Sequence, residues 1–115
     1  MDMKQLSPTF AVTGQLDPGK LAEVVRLGFR GVVCARPDGE EPGQPDSCAM
    51  AVEAERLGLS FAYIPVVPGQ MSDADADRFG RVMRECKGPL LGYCRTGARA
   101  EMLWQRAQEL AGQLR

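Results

Sequence analysis

One short segment near the end of the chain combines residue types that could do nucleophilic chemistry, Cys94-Arg95-Thr96-Gly97-Ala98-Arg99. The surrounding pattern predicts a strand before the segment, a glycine-containing turn within it and a helix after it. In that arrangement successive backbone N–H groups converge on one point, and the helix N-terminus adds partial positive charge. We therefore expect Cys94 to be a thiolate nucleophile that is held by backbone amides and an arginine.

The other residues of this segment have complementary expected roles. Arg99 carries a fork of donors that suits a bidentate oxyanion, and Gly97 can adopt the positive φ that is needed where the ring closes. Thr96 could donate its hydroxyl to the thiolate, Ala98 adds its backbone amide, and Arg95 should point outward and steer an anionic substrate. The cysteine could instead be only a small apolar residue at a strand end, but strand, glycine and helix together favour a functional loop.

The chain contains 115 residues and no histidine. The missing histidine excludes Ser-His and Cys-His nucleophile pairs and histidine-based zinc sites. The cysteines at Cys34, Cys48, Cys86 and Cys94 form no C-x-x-C pair, so we expect free thiols and neither a metal nor another cofactor. A net charge of −1 with no long basic run argues against a nucleic-acid partner. Because neither a signal-peptide pattern nor a membrane span is evident, we expect cytoplasmic residence.

Strands alternate with helices along the chain. Predicted strands cover residues 9–13, 29–35, 61–66 and 89–93, and a helix follows each of them. This alternation predicts a single domain over residues 1–115, with an α/β fold of three layers and a mainly parallel sheet of about four to five strands. In such a sheet ligands bind beyond the carboxyl ends of the strands, which is the edge where the Cys94 loop is expected.

Capping residues indicate where the helices begin. Asp17 with the proline after it has the pattern of a helix N-terminus, and so has Asp46 or Ser47. Ser72 with Asp75 three residues later is typical of a capping box.

A second segment should reach the same edge of the sheet. Cys34 lies near the end of the strand predicted at residues 29–35, and Arg36 lies two residues later. Arg36 could point into the anion site, or it could form a salt bridge within the turn to Asp38 or Glu40. Cys34 could equally be only a small buried residue at a strand end.

Nearly the whole chain resembles a known bacterial family. The Cys94 loop resembles the active-site loops of rhodaneses and cysteine-dependent phosphatases. The rest resembles the phosphatase-like domain of beta-lactamase hydrolase-like proteins (DUF442), a family also described as sulfurtransferases. The resemblance implies a dual-specificity-phosphatase-like fold and a link to sulfide and persulfide oxidation, with a persulfide dioxygenase as partner or fused neighbour. The matching stretches are Leu6-Ser7-Pro8, Thr13-Gly14-Gln15, Gly28-Phe29-Arg30, Arg36-Pro37-Asp38-Gly39-Glu40-Glu41-Pro42-Gly43-Gln44-Pro45, Ile64-Pro65-Val66, Pro68-Gly69 and Tyr93-Cys94-Arg95-Thr96-Gly97-Ala98-Arg99.

Two chemistries fit this resemblance. Phosphatases of this architecture use His-Cys, five intervening residues and Arg, whereas here Tyr93 replaces the histidine and four residues separate Cys94 from Arg99. The shorter loop resembles the C-R-x-G-x-R pattern of rhodaneses and should suit one sulfur atom better than a phosphate. A phosphatase also needs a general acid, which the resemblance places directly after the strand at 61–66. The chain has Val67-Pro68-Gly69 there.

Other acids could take the place of that general acid. Asp73 and Asp75 follow in the chain, but they have the pattern of helix-start residues. Asp38, together with Glu40 and Glu41, could act from the neighbouring loop. The interpretation slightly favoured for these three is that they are solvated turn residues.

The favoured hypothesis is a sulfurtransferase. Cys94 would take a sulfane sulfur from a small anionic donor, thiosulfate or a glutathione persulfide, and the Cys94 persulfide would pass it to a thiol or to cyanide. The alternative is a cysteine-dependent protein or aryl phosphatase with a Cys94 phosphoenzyme. A second alternative is an inactive anion-binding or docking module.

A second thiol is implied by one further resemblance. A lipid phosphatase of the related fold has a similar Cys-Ala segment, whose cysteine forms a disulfide with the nucleophile. This implies a resolving or backup role for Cys34 toward Cys94. Cys86 is expected to be structural, and no role is assigned to Cys48.

Overall fold

The computed structural model describes residues 1–113 of the chain. Within these residues, no helix is both long enough and apolar enough to cross a membrane. A short 3₁₀ turn at Pro18–Lys20 precedes the first α-helix. The strands and α-helices, in chain order, are β1 (Met3–Ser7), β2 (Phe10–Thr13), α1 (Leu21–Arg26), β3 (Gly31–Cys34), α2 (Ser47–Arg56), β4 (Ser60–Tyr63), α3 (Asp73–Glu85), β5 (Leu90–Tyr93) and α4 (Ala98–Gln113).

The described strands form one sheet in the order β1-β2-β5-β3-β4. β5 lies in the centre and runs parallel to β2 and β3, and β4 runs parallel to β3, whereas β1 is antiparallel to β2. The predicted α/β fold with a mainly parallel sheet is therefore confirmed. The sequence pattern does not predict β1, because this edge strand is half-exposed and lacks an apolar run.

Two apolar cores lie on opposite faces of the sheet. One contains side chains of α1 and α2, among them Leu21 and Met50. The other contains side chains of α3 and α4, among them Phe79 and Leu103. The central strands supply both cores, because successive side chains of a strand point to opposite faces. The sheet is thus the middle one of three layers, as predicted.

Two of the three predicted helix starts are confirmed. The Asp46 carboxylate accepts from a backbone amide in the first turn of α2 at 2.8 Å. Ser72 and Asp75 form a reciprocal capping box at the start of α3. Asp17 takes the predicted N-cap position with Pro18 as the next residue, but its side chain makes no capping hydrogen bond and the first turn is 3₁₀.

The register brings the carboxyl ends of β3 and β5 together. Cys34 is paired with Tyr93, and Ala35 N donates to Tyr93 O at 2.8 Å just beyond the strand. The loop that follows β3 and the Cys94 loop therefore leave the sheet side by side. Val66 N donates to Ala35 O at 2.9 Å, so the segment after β4 reaches the same edge.

Candidate functional site

Cys94 follows β5 directly and is only 1% exposed. Its Sγ accepts hydrogen bonds from two backbone amides, Gly97 N at 3.0 Å and Arg99 N at 3.3 Å. Both amides belong to the turn that leads into α4 and to its first residues, where the partial charge of a helix is positive. The structure therefore places two backbone N–H donors against this sulfur, while its role as a nucleophile stays a prediction.

Two glycines allow the Cys94 loop and the segment after β2 to approach each other closely. Gly97 has a φ of +98°, and a Cβ there would lie 3.2 Å from Thr13 O. Gly14 approaches from the loop after β2, where a Cβ would lie 3.1 Å from Arg95 O. Gln15 N also donates to Arg95 O at 3.2 Å. The segment after β2 thus packs against the backbone of the Cys94 loop and supports its conformation.

The Arg99 guanidinium lies over this turn and is largely buried. Nη1 donates to Glu40 Oε2 at 2.7 Å and to Val66 O at 2.8 Å, and Nη2 donates to Glu40 Oε1 at 2.9 Å. The pKa of Arg99 is raised, first by the hydrogen bond to Glu40, and a hydrogen bond to the Cys94 side chain adds to the effect. Arg99 therefore binds the candidate nucleophile through its backbone amide and a carboxylate of the neighbouring loop through its guanidinium.

Glu40 lies between two arginines. It binds the Arg99 fork through both oxygens, and its Oε1 also accepts from Arg36 Nε at 2.8 Å. These contacts, led by the hydrogen bond to Arg99, lower the pKa of Glu40 to about 2. Glu40 is therefore an anion at neutral pH. Glu40 lies in an exposed bend, as predicted, but its carboxylate is bound by two arginines and is 21% exposed.

Arg36 is only 2% exposed, and each of its guanidinium nitrogens has an acceptor. Besides Glu40, it donates to Gln15 Oε1 and to Glu41 Oε1, both at 3.0 Å. Burial acts to lower the pKa of Arg36, but the hydrogen bonds to Glu40 and Glu41 outweigh it and raise the pKa. Of the two interpretations left open by the sequence, these contacts favour the salt bridge to Glu40. Direct anion binding by Arg36 stays a prediction.

Asp38, in the loop after β3, binds the first residue of α2. Its two carboxylate oxygens accept from Ser47 N and Ser47 Oγ, each at 2.8 Å, and its backbone amide donates to Tyr63 Oη at 2.9 Å. Asp38 thus lies in an exposed turn, as predicted, and its carboxylate also holds the helix start. The contacts give no support to a role as general acid.

The remaining residues of the loop are on its outer side. Arg95, Thr96 and Ala98 are exposed. Thr96 Oγ1 accepts from Ala98 N at 3.4 Å, so the predicted donation of this hydroxyl to Cys94 is wrong in this structure. Arg95 is exposed, as predicted. Its role in steering an anionic substrate stays a prediction.

Cys34 and Tyr93 form a buried pair behind the loop. Cys34 Sγ donates to Arg36 O at 3.4 Å, and Cys34 and Tyr93 lie in the same apolar core. Burial raises the pKa of the Cys34 thiol and also that of Tyr93. Cys34 belongs to the core on the α1 and α2 side, whereas Cys94 belongs to the other core. All four cysteines are free thiols, and a bridge between Cys34 and Cys94 stays a prediction.

Sequence reasoning missed one participant, Gln15, and one contact, that of Glu40 with Arg99. Gln15 joins Arg36 and the Cys94 loop, and Glu40 occupies the Arg99 fork. Both lie in stretches that matched the family, so that match was the available signal. Their partners are far away in the chain, with Glu40 and Arg99 separated by 59 positions, and pattern reasoning within one element cannot find such contacts.

The chain matches the model of one protein family over residues 2–111. That family is described as "Beta-lactamase hydrolase-like protein, phosphatase-like domain". A beta-lactamase hydrolase-like protein from Xylella fastidiosa strain Temecula1 is 31% identical over 115 residues, which are 100% of this chain and 27% of that protein. The chain thus spans about a quarter of the length of the curated relatives it matches.

Two solved structures share the fold. A crystal structure of a protein from Neisseria meningitidis Z2491, assigned as a phosphatase, is 30% identical with a TM-score of 0.82, over 90% of this chain and 74% of that chain. A crystal structure of a DUF442 protein from Shewanella putrefaciens CN-32, also assigned as a phosphatase, is 22% identical with a TM-score of 0.78, over 96% of this chain and 69% of that chain. The predicted phosphatase-like fold is confirmed by these similarities.

Proposed function

The chain belongs to the family of phosphatase-like domains of beta-lactamase hydrolase-like proteins, as its resemblance predicted, and from that premise we propose that it is a sulfurtransferase that uses Cys94. One observation carries the proposal. The sulfur of Cys94 is held by two backbone amides, and the nearby carboxylates of Asp38 and Glu40 are bound to Ser47 and to two arginines. That arrangement suits a reaction in which the leaving group departs as a stable anion.

The first half of the reaction loads the enzyme. The Cys94 thiolate attacks the sulfane sulfur of thiosulfate or of a glutathione persulfide. A bond forms between Cys94 Sγ and that sulfur, the bond from the sulfur to the rest of the donor breaks, and the bonding pair leaves with sulfite or a thiolate. The amides of Gly97 and Arg99 stabilise the negative charge of the resulting persulfide.

The second half unloads the enzyme. A thiolate or cyanide attacks the outer sulfur of the Cys94 persulfide, a new bond to sulfur forms, and the sulfur–sulfur bond to Cys94 breaks. The bonding pair returns to Cys94, which becomes a thiolate again. Neither half consumes a proton at the loop, so neither needs a general acid.

The acidic residues near the loop are committed elsewhere. Asp73 binds Arg106 at 2.7 Å, and Asp75 caps α3. Asp38 holds the start of α2, and Glu40 is an anion with a pKa of about 2. Hydrolysis of an ordinary phosphate ester needs a protonated acid beside the leaving oxygen. These placements therefore support sulfur transfer over phosphate hydrolysis.

The second candidate is a cysteine-dependent phosphatase, and the comparisons favour it over sulfur transfer. The family is described as phosphatase-like, and the 30% identical structure from Neisseria meningitidis is assigned as a phosphatase. In this candidate Cys94 attacks phosphorus and forms a phosphocysteine, and Arg99 holds the equatorial oxygens. It predicts steady turnover of aryl phosphates.

A paired assay tests the two candidates. Sulfur transfer from thiosulfate and from glutathione persulfide to cyanide is measured beside the hydrolysis of an aryl phosphate. We expect sulfur transfer that Cys94→Ser abolishes and that Cys48→Ser, which removes an exposed thiol on α2, leaves intact. Aryl phosphate turnover without sulfur transfer would establish the second candidate. Anion binding without either turnover would indicate an inactive binding module.

The proposed partners follow from the same chemistry. We propose a small anionic sulfur donor and a thiol acceptor, and a persulfide dioxygenase as the enzyme that consumes the product. The curated relatives are about four times as long as this chain, so they have room for a second domain. Adding this chain to a persulfide dioxygenase should increase persulfide oxidation. Adding the Cys94→Ser variant should give no increase.

A further inference from the structure

One buried arginine contacts the neighbours of the Cys94 loop without belonging to the loop. Arg36 lies in the segment after β3, and its side chain is 2% exposed. Its Nε donates to Glu40 Oε1 at 2.8 Å, and its Nη1 donates to Gln15 Oε1 at 3.0 Å. A buried guanidinium fixes the acceptors around it, because an unpaired charge there would be costly. The further contacts of these two acceptors therefore show what Arg36 holds in place.

The first acceptor leads to the end of the loop that enters α4. Glu40 accepts from Arg99 Nη1 at 2.7 Å and from Arg99 Nη2 at 2.9 Å. The backbone amide of the same Arg99 donates to Cys94 Sγ. Because side chain and amide belong to one residue, a fixed guanidinium restrains the position of the amide. Arg36 thus acts on this donor to the sulfur through Glu40.

The second acceptor leads to the end of the loop that follows β5. The backbone amide of Gln15 donates to Arg95 O at 3.2 Å. Since Arg36 binds the Gln15 side chain, it also restrains the amide that holds Arg95. Gly97, the other amide donor to the sulfur, lies in the chain between the restrained residues Arg95 and Arg99.

We propose that Arg36 is a positioning residue, which holds both ends of the Cys94 loop through Glu40 and Gln15 and so keeps the amides of the loop on the sulfur. This role differs from direct anion binding, in which Arg36 itself would contact the substrate. The effect on sulfur transfer rests on the proposed function, whereas the effect on the loop rests on the contacts alone.

Arg36→Lys is the main test variant, because lysine keeps the charge but lacks the planar fork that binds several acceptors. Hydrogen exchange of the Gly97 and Arg99 amides, followed by NMR, reports on the loop itself. Exchange of the Leu91 amide reports on opening of the whole fold, since Leu91 lies fully buried in the central strand β5.

Two further variants complete the comparison. Gln15→Leu removes one of the two links and leaves every charge in place. Val24→Ala is the control, because it opens a cavity at a fully buried position of α1, outside this cluster, and destabilises the whole fold. For each protein kcat and KM for thiosulfate are measured as well, since direct anion binding by Arg36 would mainly act on KM.

We expect the Gly97 and Arg99 amides of Arg36→Lys to exchange about tenfold faster than in the wild type, relative to any change at Leu91, because several hydrogen bonds are lost. Gln15→Leu should give an excess of about threefold, as one hydrogen bond is lost. Val24→Ala should give none. For sulfur transfer by Arg36→Lys, kcat should fall with little change of KM.

Equal acceleration at the loop amides and at Leu91 would show that Arg36 serves only the stability of the fold, and would overturn the proposal. Unchanged exchange in Arg36→Lys together with a raised KM would overturn it as well and would indicate direct anion binding. If Arg36→Lys does not fold, the same comparison in Gln15→Leu decides. Faster exchange confined to the loop, in a protein whose wild type transfers no sulfur, would support the role of Arg36 and contradict the proposed function alone.

Discussion

Cys94 and Arg99 work as a pair at the scale of single residues. The backbone amide of Arg99 donates to Cys94 Sγ, and its guanidinium binds Glu40 and Val66 O. One residue therefore joins the nucleophile to the neighbouring loops. Lysine could keep the amide contact and the charge, but it has no planar fork of donors.

Arg99→Lys separates these two contributions. We expect kcat/KM for sulfur transfer to fall about 10- to 100-fold, because the fixed donors beside the reacting sulfur are lost while the fold is kept. Arg81→Lys, at an exposed position on α3, is the matched control and should retain full activity. Steady-state kinetics of both variants give the answer, and equal kcat/KM for Arg99→Lys and the wild type would contradict the role of the guanidinium.

Sequence reasoning located Cys94, Gly97 and Arg99 because their spacing within one loop is itself the signal. It did not locate the partner of Arg99. Glu40 is 59 residues away, and its position depends on how the loop after β3 folds. Spacing predicts which groups share a turn, whereas contacts between loops depend on the register of the sheet.

At the scale of elements, the Cys94 loop depends on its close contact with the segment after β2. Gly97 has a positive φ and faces Thr13 O, and Gly14 faces Arg95 O. A side chain at either position would push the two loops apart. The amide of Gly97 would then move away from Cys94 Sγ.

Gly97→Ala tests this dependence. We expect the free energy of unfolding to fall by roughly 1–2 kcal/mol, because alanine is strained at positive φ, and we expect sulfur transfer to fall as well. Gly112→Ala is the control, since a Cβ there meets nothing within 4 Å and glycine is unfavourable in a helix. Urea unfolding with parallel activity assays measures both effects. Unchanged activity in Gly97→Ala would show that the tight turn is dispensable.

The elements themselves were largely predictable. Strand and helix alternation, the Asp46 cap and the Ser72 capping box are local patterns, and the structure has them. β1 was not predictable, because a half-exposed edge strand carries little periodic signal. The 3₁₀ turn after Asp17 also departs from the expected cap, since the same residues favour more than one kind of turn.

At the scale of the whole molecule, three segments are tied together at one edge of the sheet. The Glu40 carboxylate joins Arg36, from the segment after β3, to Arg99 of α4. Gln15, from the segment after β2, binds Arg36. This cluster therefore contributes to the stability of the fold as well as to the site.

The cluster should make stability depend on pH. The pKa of Glu40 is lowered from an ordinary 4.5 to about 2, so its ion pairs stabilise the fold above pH 4.5 and are lost as the pH falls from there to about 2. We expect Glu40→Gln to lower the free energy of unfolding by roughly 1–3 kcal/mol at neutral pH, with a smaller difference at pH 3. Urea unfolding at both pH values measures it.

Asp73→Asn is the control for this effect. Its ion pair with Arg106 is exposed, so solvent screens it and the variant should change stability less than Glu40→Gln does. The difference in the free energy of unfolding between the wild type and Glu40→Gln should shrink toward pH 3. A difference that grows toward pH 3 would have the wrong sign for a carboxylate with a lowered pKa. Such a result would contradict the assigned contacts.

The most direct measurement is the mass of the Cys94 peptide after the protein has been incubated with a sulfur donor. After exposure to thiosulfate or glutathione persulfide and rapid trapping with an alkylating agent, we predict one added sulfur atom on Cys94, which cyanide removes. The same experiment with an aryl phosphate should leave Cys94 unmodified. A phosphorylated Cys94 with no added sulfur from either donor would contradict the proposed sulfurtransferase and establish a phosphatase.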